Sequence, residues 1–261
     1  MTLERLPDDL EPGDILDAIE SFSITDRGRQ VALGPSEVGM ACQRCICRKL
    51  AGLEKEQLIG SWRAQLGTYV HDNLAHEFER AFPDQVIVED RLFIHAYKTF
   101  LLMGSCDAFF KRRGKGMTVD WKIVGDDTLK DVTDWMEELA RSGEDLVASA
   151  RRHGGKKWQY VVQGMLYSLG WLLRGYDVED VVIMFLPANK GSVTRYAVPV
   201  KYKFDVTVAA EALGKIERYI DLAEEIGWEA VLRQTPPAKW CLSCKAYETV
   251  DDPIYDLTLR K

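Results

Sequence analysis

The sequence predicts an α/β domain in which a central mixed β-sheet is flanked by helices. Runs rich in β-branched and aromatic residues at 86–97, 100–110 and 117–124 read as strands. Between and beyond them, 62–82, 157–173 and 205–231 repeat apolar residues at helical spacing. The alternation of the two kinds of segment requires helices and sheet to share a core. At 261 residues and 46% hydrophobic composition the chain is long enough for one substantial core, and a single domain over 1–261 is the expectation.

Taken in order, residues 1–35 carry Pro7, Pro12, several acids and a short helical pattern around Ile15 to Ile19, which predicts a loosely attached arm. Ser36 caps a helix running to about Leu53. A longer helix from Trp62 to Phe82 aligns Val70, Leu74, Phe78 and Phe82 on one stripe, with His71 beside it. The second and third strands form a hairpin around the basic, glycine-bearing loop 111–116. Residues 128–150 predict an acidic amphipathic helix, Lys157 to Leu173 a more apolar one, and 180–187 with 193–203 a second strand pair. A long helix from Asp205 to Val231 leads to a tail marked by Pro236 and Pro237. The segments 61–204 would form the core around the site.

The formal charge of -7 argues against uniform attraction to a polyanion. Basic residues nevertheless cluster at Arg44-Arg48-Lys49, Lys111-Arg112-Arg113-Lys115, Arg151-Arg152-Lys156-Lys157 and Lys201-Lys203, patches able to track a nucleic-acid backbone. No apolar run approaches membrane-spanning length, and the first residues lack the basic-then-apolar order of a secretory signal, so a soluble, cytoplasmic protein without membrane contact is expected. No Walker-type glycine-lysine motif is present, which excludes an ATP-driven motor within this sequence.

Asp107 and Asp120 lie equally far from the hairpin midpoint, so a symmetric turn places them opposite one another. Two like charges in directly opposed positions destabilise a hairpin, and a divalent cation such as Mg2+ or Mn2+, which prefers hard oxygen ligands, compensates. The two-residue period of the strand places Asp120 and Lys122 on one face and Val119, Trp121 and Ile123 on the other. Gln163 and Tyr167 stand four apart, hence on one face of their helix.

Cys42 and Cys45 form one C-x-x-C, with Cys47 just beyond, and Cys241 and Cys244 form another near the far end. Two such pairs can complete a four-thiolate site for zinc or for a four-iron (4Fe-4S) cluster, and the spacing does not choose between them. Cys106, beside Asp107 but turned to the opposite face by alternation, reads as packing.

The ordered set Gly67-Thr68-Tyr69-Val70-His71, Gly104-Ser105-Cys106-Asp107, Asp120-Trp121-Lys122 and Gln163 with Tyr167 resembles the RecB-like branch of the PD-(D/E)xK nucleases over about 36–245. That family's motifs are a helical histidine after a glycine, G-x-x-D, D-x-K and Q-x-x-x-Y. The resemblance implies a restriction-endonuclease-like core. His71, Asp107, Asp120 and the carbonyl of Ile123 would hold Mg2+ or Mn2+, and Lys122 would orient the attacking water. Gln163 and Tyr167 would hold the lysine, the water or a DNA phosphate. It further implies an exonuclease acting on single-stranded DNA ends in recombination, repair or replication, with recombination or replication proteins as possible partners. Relatives of the CRISPR-associated Cas-four type and of the AddB type carry a 4Fe-4S cluster between an N-terminal cysteine and a C-terminal cysteine group. Here 36–53 and 232–245 would be the cluster-binding segments. The ligands would be Cys42, Cys45, Cys241 and Cys244, with Cys47 as alternate to Cys45 and structural Zn2+ as the alternative occupant. The competing expectations are a non-catalytic nucleic-acid-binding module and a ferredoxin-like electron carrier, which leaves the carboxylate hairpin unexplained.

Overall fold

A computed structural model describes residues 32–53, 62–111 and 114–239, together with Cys241 and Cys244. The expected N-terminal arm, apart from its last few residues, Arg112 and Arg113 of the hairpin loop, and the aromatic Trp240 lie outside the described residues. The helices are α1 (Pro35–Val38), α2 (Gln43–Leu50), α3 (Trp62–Ala81), α4 (Asp126–Ser142), α5 (Leu146–His153), α6 (Gly155–Leu173), α7 (Val193–Tyr196), α8 (Val206–Ile226) and α9 (Trp228–Gln234). The strands are β1 (Val86–Tyr97), β2 (Phe100–Lys111), β3 (Gly116–Val124), β4 (Val178–Pro187) and β5 (Val198–Lys203), arranged in that order in one five-stranded sheet. All neighbours are antiparallel except β3 and β4, which run parallel because α4, α5 and α6 carry the chain back across the sheet.

The sheet buries both faces unequally. On one, Leu92, Ile94, Phe109, Val181, Ile183 and Phe185 meet α6 through Val161, Val162, Met165 and Trp171, with α8 contributing Leu213, Ile216 and Ile220. Its apolar sequence follows from this position, since α6 is covered along most of its circumference. On the other face a smaller cluster of Val86, Ala108, Val119, Trp121 and Val182 packs against Leu74 and Phe78 of α3. Phe78 stacks on Trp121 with ring centroids 5.4 Å apart. Of the stripe expected on this helix, Leu74 and Phe78 meet the sheet, whereas Phe82 lies past the end of α3 and is exposed.

Three expected helices are each broken in two. The one expected from Ser36 ends at Gly39, where any added Cβ would stand 2.8 Å from the Gln159 Cα of α6; the backbone passes too close for a continuing helix with side chains. Cys42 then opens α2. The 128–150 segment divides at Gly143 (φ 67°), after which the Asp145 carboxylate caps α5 by accepting from the Ala148 N–H. The last helix divides at Gly227 (φ 82°), so α9 leaves α8 at an angle and its Val231 and Leu232 pack around Cys47. Residues 193–196, expected in a strand, form a single helical turn, and β5 begins only at Val198.

Candidate active site and cysteine site

The hairpin register is the symmetric one, with pairs running from Lys111↔Gly116 to Ala108↔Val119. Asp107 and Asp120 occupy the next positions, where ladder pairing between β2 and β3 stops. Beyond this fork β2 continues against β1 and β3 against β4. The Trp121 N–H, released from the ladder, donates instead to Asp107 Oδ2 at 2.8 Å. The other oxygen, Oδ1, lies 3.2 Å from His71 Nδ1 on α3. The two aspartates therefore follow the last ladder pair, Ala108↔Val119, and their carboxylates are held by different partners.

Asp120 is buried to 2% exposure and turns toward α6. Gln163 Nε2 donates to its Oδ1 at 2.8 Å, and Lys122 Nζ stands 2.7 Å from Oδ2. Alternation along β3 accounts for this, because Val119 and Trp121 pack with Leu74 and Phe78 on the α3 side. Burial, together with the nearby charge of Asp107, pushes the Asp120 carboxyl up to about 6 against the opposing pull of Lys122. Burial works against the Lys122 ammonium too, yet the two aspartates outweigh it and hold the pKa of the lysine above its usual value. Burial also opposes protonation of His71, while its hydrogen bond to Asp107 and the charge of that carboxylate raise its pKa.

Tyr167 is buried further along α6 and lies against Gly104, where an added Cβ would come within 3.2 Å of its ring and 2.6 Å of Pro35. Burial raises its hydroxyl pKa far above normal, and Gln163 offsets this in part. Ile123 is half-buried and pairs in register with Leu186. Two neighbours were missed from sequence. The Tyr160 ring centroid lies 5.9 Å from Lys122 Nζ, within cation–π range. Lys156, one turn earlier, has its pKa lowered by burial and by the charge of Lys122. Their signal was present in the helical spacing of 156, 160, 163 and 167, of which only the last two were assigned to the site, Lys156 having been read as part of a basic patch.

The basic clusters require correction. Arg44 and Arg48 are fully buried and cannot track a backbone. Arg151 pairs with Glu211, Arg152 with Glu138 and Glu144, and Lys157 with Asp131. Lys201 and Lys203 both pair with Asp180. Acids distant in sequence thus meet most of the basic groups that composition had suggested were available.

The sulfurs of Cys42, Cys45, Cys241 and Cys244 all lie within 4.8 Å of one another. Cys42 and Cys45 are 3.4 Å from Cys244, and Cys45 is 3.5 Å from Cys241, too far for disulfides and close enough for one metal site. Hydrogen bonds from Cys244 and Cys45 hold the Cys42 thiol pKa low, and those to Cys244 and Cys42 push Cys45 up. The Ala238 N–H also donates to the Cys42 sulfur at 3.4 Å. Cys47, the alternate, points away from the set and packs with Ala223, Val231 and Leu232, where burial pushes its thiol up to about 11. Cys106 is likewise buried, its sulfur accepting from Trp171 Nε1 at 3.3 Å. Cys45→Ala should therefore remove bound metal measured by plasma emission spectrometry, whereas Cys47→Ala should leave metal content at the wild-type level.

Arg44 fixes the two halves of this site. Its guanidinium donates to the carbonyls of Leu232 and Thr235, each at 2.8 Å, satisfying acceptors at the end of α9 on the stretch of chain that leads to Cys241 and Cys244.

No family model matches the sequence, and no curated protein matches it. Among solved structures, SSO0001 superposes with a TM-score of 0.51 at 13% identity, covering 90% of this chain and 95% of that one. The chain shares the fold of SSO0001. Weaker similarities are to the alkaline exonuclease LHK-Exo of Laribacter hongkongensis (TM-score 0.48, 12% identity, 80% and 95% covered) and to a phage-related exonuclease of Haemophilus somnus 129PT (TM-score 0.42, 14% identity, 85% and 90% covered). Among the described residues no helix is long and apolar enough to cross a membrane.

Proposed function

We propose that this chain is a metal-dependent deoxyribonuclease that hydrolyses phosphodiester bonds with Mg2+ or Mn2+. The observation that carries the reading is the strand fork itself. It assembles two buried aspartates with different partners, a lysine paired to one and a histidine bonded to the other. Burying so much charge is unfavourable for a purely structural site.

His71, Asp107, Asp120 and the carbonyl of Ile123 are the groups that would hold the cation, and the carboxylate and imidazole donors suit a hard to borderline metal. Such an ion, when bound, supplies an activated water and polarises a phosphoryl oxygen. Lys122 stays cationic beside Asp120 and offsets negative charge developing on the phosphorus oxygens. Gln163 fixes the orientation of Asp120 by donating to Oδ1, and Tyr160 walls the lysine. Exonucleolytic attack on single-stranded ends, within recombination, repair or replication and alongside proteins of those processes, is the finer part of the proposal. It rests on motif resemblance, as does assignment of 61–204 as the core of one domain.

For the cysteine site the same resemblance favours a 4Fe-4S cluster. The observed sulfur separations favour a second reading, because a tetrahedral Zn2+ with bonds of about 2.3 Å places its thiolates roughly 3.8 Å apart. Thiolates around a four-iron cube stand further apart. Iron, sulfide and zinc content of anaerobically purified protein separates the two.

The test of the nuclease reading is cleavage of end-labelled single-stranded DNA with Mn2+, comparing wild type with Asp120→Ala. A ladder of shortened products lost in the variant supports it. No product from metal-replete wild type, with DNA binding indifferent to Mg2+, would establish a binding module instead.

A further inference from the structure

Among the described residues, the acid and histidine group whose donor atoms all lie within 4.8 Å of one another is His71, Glu89 and Asp107. Asp120 is not one of the three, and nothing in the sequence patterns pointed to Glu89. Resting on the nuclease reading, we infer that Glu89 is a further ligand of the divalent cation, bound alongside His71 and Asp107.

The placement of Glu89 depends on a local irregularity. From the turn at Tyr97↔Phe100 back to His95↔Leu102 the β1–β2 register is regular, and an uninterrupted ladder would bring Asp90 opposite Asp107. A bulge between Phe93 and His95 inserts one residue and shifts the register, so the later pairs are Asp90↔Cys106 and Val88↔Ala108. Glu89 and Asp107 occupy the positions between them. Glu89 Oε1 thereby comes to 3.9 Å from His71 Nδ1, the same nitrogen that meets Asp107.

The backbone at Glu89 carries a second mark. Its φ of 47° lies in the left-handed region, where the Cβ of a residue other than glycine crowds its own carbonyl. Conformations of this kind persist where the surroundings over-determine them, and they concentrate at binding sites. Here the left-handed residue is also the one whose carboxylate completes the donor group. The side chain is 36% exposed, so it sits at the mouth of the site, whereas the Asp107 side chain beneath is 10% exposed. Asp90, next in sequence, instead pairs with Arg174 of the opposite layer.

Glu89→Gln preserves shape and removes one anionic donor. Asp90→Asn removes the same charge one residue away and serves as the electrostatic control. Mn2+ binding by the full chain, followed by loss of the free Mn2+ electron paramagnetic resonance signal, should weaken at least tenfold in Glu89→Gln and less than threefold in Asp90→Asn. Thermal unfolding of both metal-free variants should remain close to wild type or above it, which separates lost ligation from lost fold. Equal weakening in the two variants, or wild-type binding by Glu89→Gln while Asp107→Asn loses the metal, overturns the role of Glu89 and leaves the nuclease reading standing. Absence of Mn2+ binding by the wild type removes the metal centre and this inference together.

Discussion

Lys122→Ala should slow Mn2+-supported DNA cleavage by roughly a hundred- to a thousandfold, the usual loss when one preorganised charge-stabilising group is removed. The structure adds a pH signature that a merely structural lysine would not give. In the wild type the Asp120 carboxyl is already pushed up to about 6 by burial and by Asp107, with Lys122 acting against the rise. Metal ligands must be deprotonated, so protonation of Asp120 should cost apparent Mn2+ affinity about tenfold per pH unit below that value, in addition to the competition from a proton on His71, whose pKa is also raised. Without Lys122 the opposing charge is gone, the Asp120 pKa moves higher, and the fall in affinity begins at a higher pH. Stability follows the same sign. A carboxyl whose folded pKa exceeds its unfolded one binds more protons in the native state, so native stability drops as pH rises between the two values. The variant should therefore be close to wild type in thermal midpoint at pH 5 and clearly lower at pH 8, where the buried carboxylate is ionised without its partner. Mn2+ titrations and thermal melts across that range check both statements. A cleavage rate within a few fold of wild type at saturating Mn2+ would show that Lys122 only balances Asp120.

The sequence made this centre partly visible because strand geometry is periodic. Counting from the turn gave the register of the β2–β3 ladder, which is regular up to Ala108↔Val119, one position short of Asp107 and Asp120. The same counting on β1 and β2 would have selected Asp90, because the bulge near Ile94 leaves no residue pattern from which its position can be read. Gln163 was found from its motif, and Tyr160 was missed because an aromatic on an apolar helix resembles any core residue until its neighbour Lys122 is known. Helix existence was legible from apolar spacing, whereas the breaks were read less well: close tertiary approach sets one, at Gly39 against Gln159, and glycines with positive φ, Gly143 and Gly227, set the other two. Charge was the least legible property. Arg151 and Arg152 look like a basic patch in sequence, but Glu211, Glu138 and Glu144 reach them in the fold. The cysteine pairs were legible because chemistry demands four donors, and only the folded chain distinguishes Cys45 from Cys47, whose side chains leave α2 on different sides.

Simultaneous Cys241→Ser and Cys244→Ser substitution should lower the thermal midpoint by about 10 °C or more, through loss of a closure that spans nearly the whole described chain. Cys45 and Cys241 are 196 residues apart, and closing a loop of this length restricts the unfolded chain by about 5 kcal/mol in the entropic description of a cross-link. For a domain of this size each kcal/mol moves the midpoint by about 2–4 °C. The effect should stop short of global unfolding, because Arg44 independently joins α2 to the carbonyls of Leu232 and Thr235, and Val231 and Leu232 pack against Cys47. Far-UV circular dichroism at 25 °C should therefore remain native while the melt shifts. Arg44→Leu in the same background should then cost far more than Arg44→Leu alone, since each tie holds the segment when the other is lost. The expected route from this site to cleavage is Gly39 at the end of α1, whose backbone lies close against Gln159 of the helix that carries Tyr160 and Gln163. Loosening the staple should thus reduce the rate several fold without changing the pH at which Mn2+ affinity falls, because the groups that set that pH lie at the strand fork. A melt unchanged by the double substitution would mean that Arg44 and the packing of α9 close the chain by themselves, and the four thiolates would then have to be explained by chemistry other than stability.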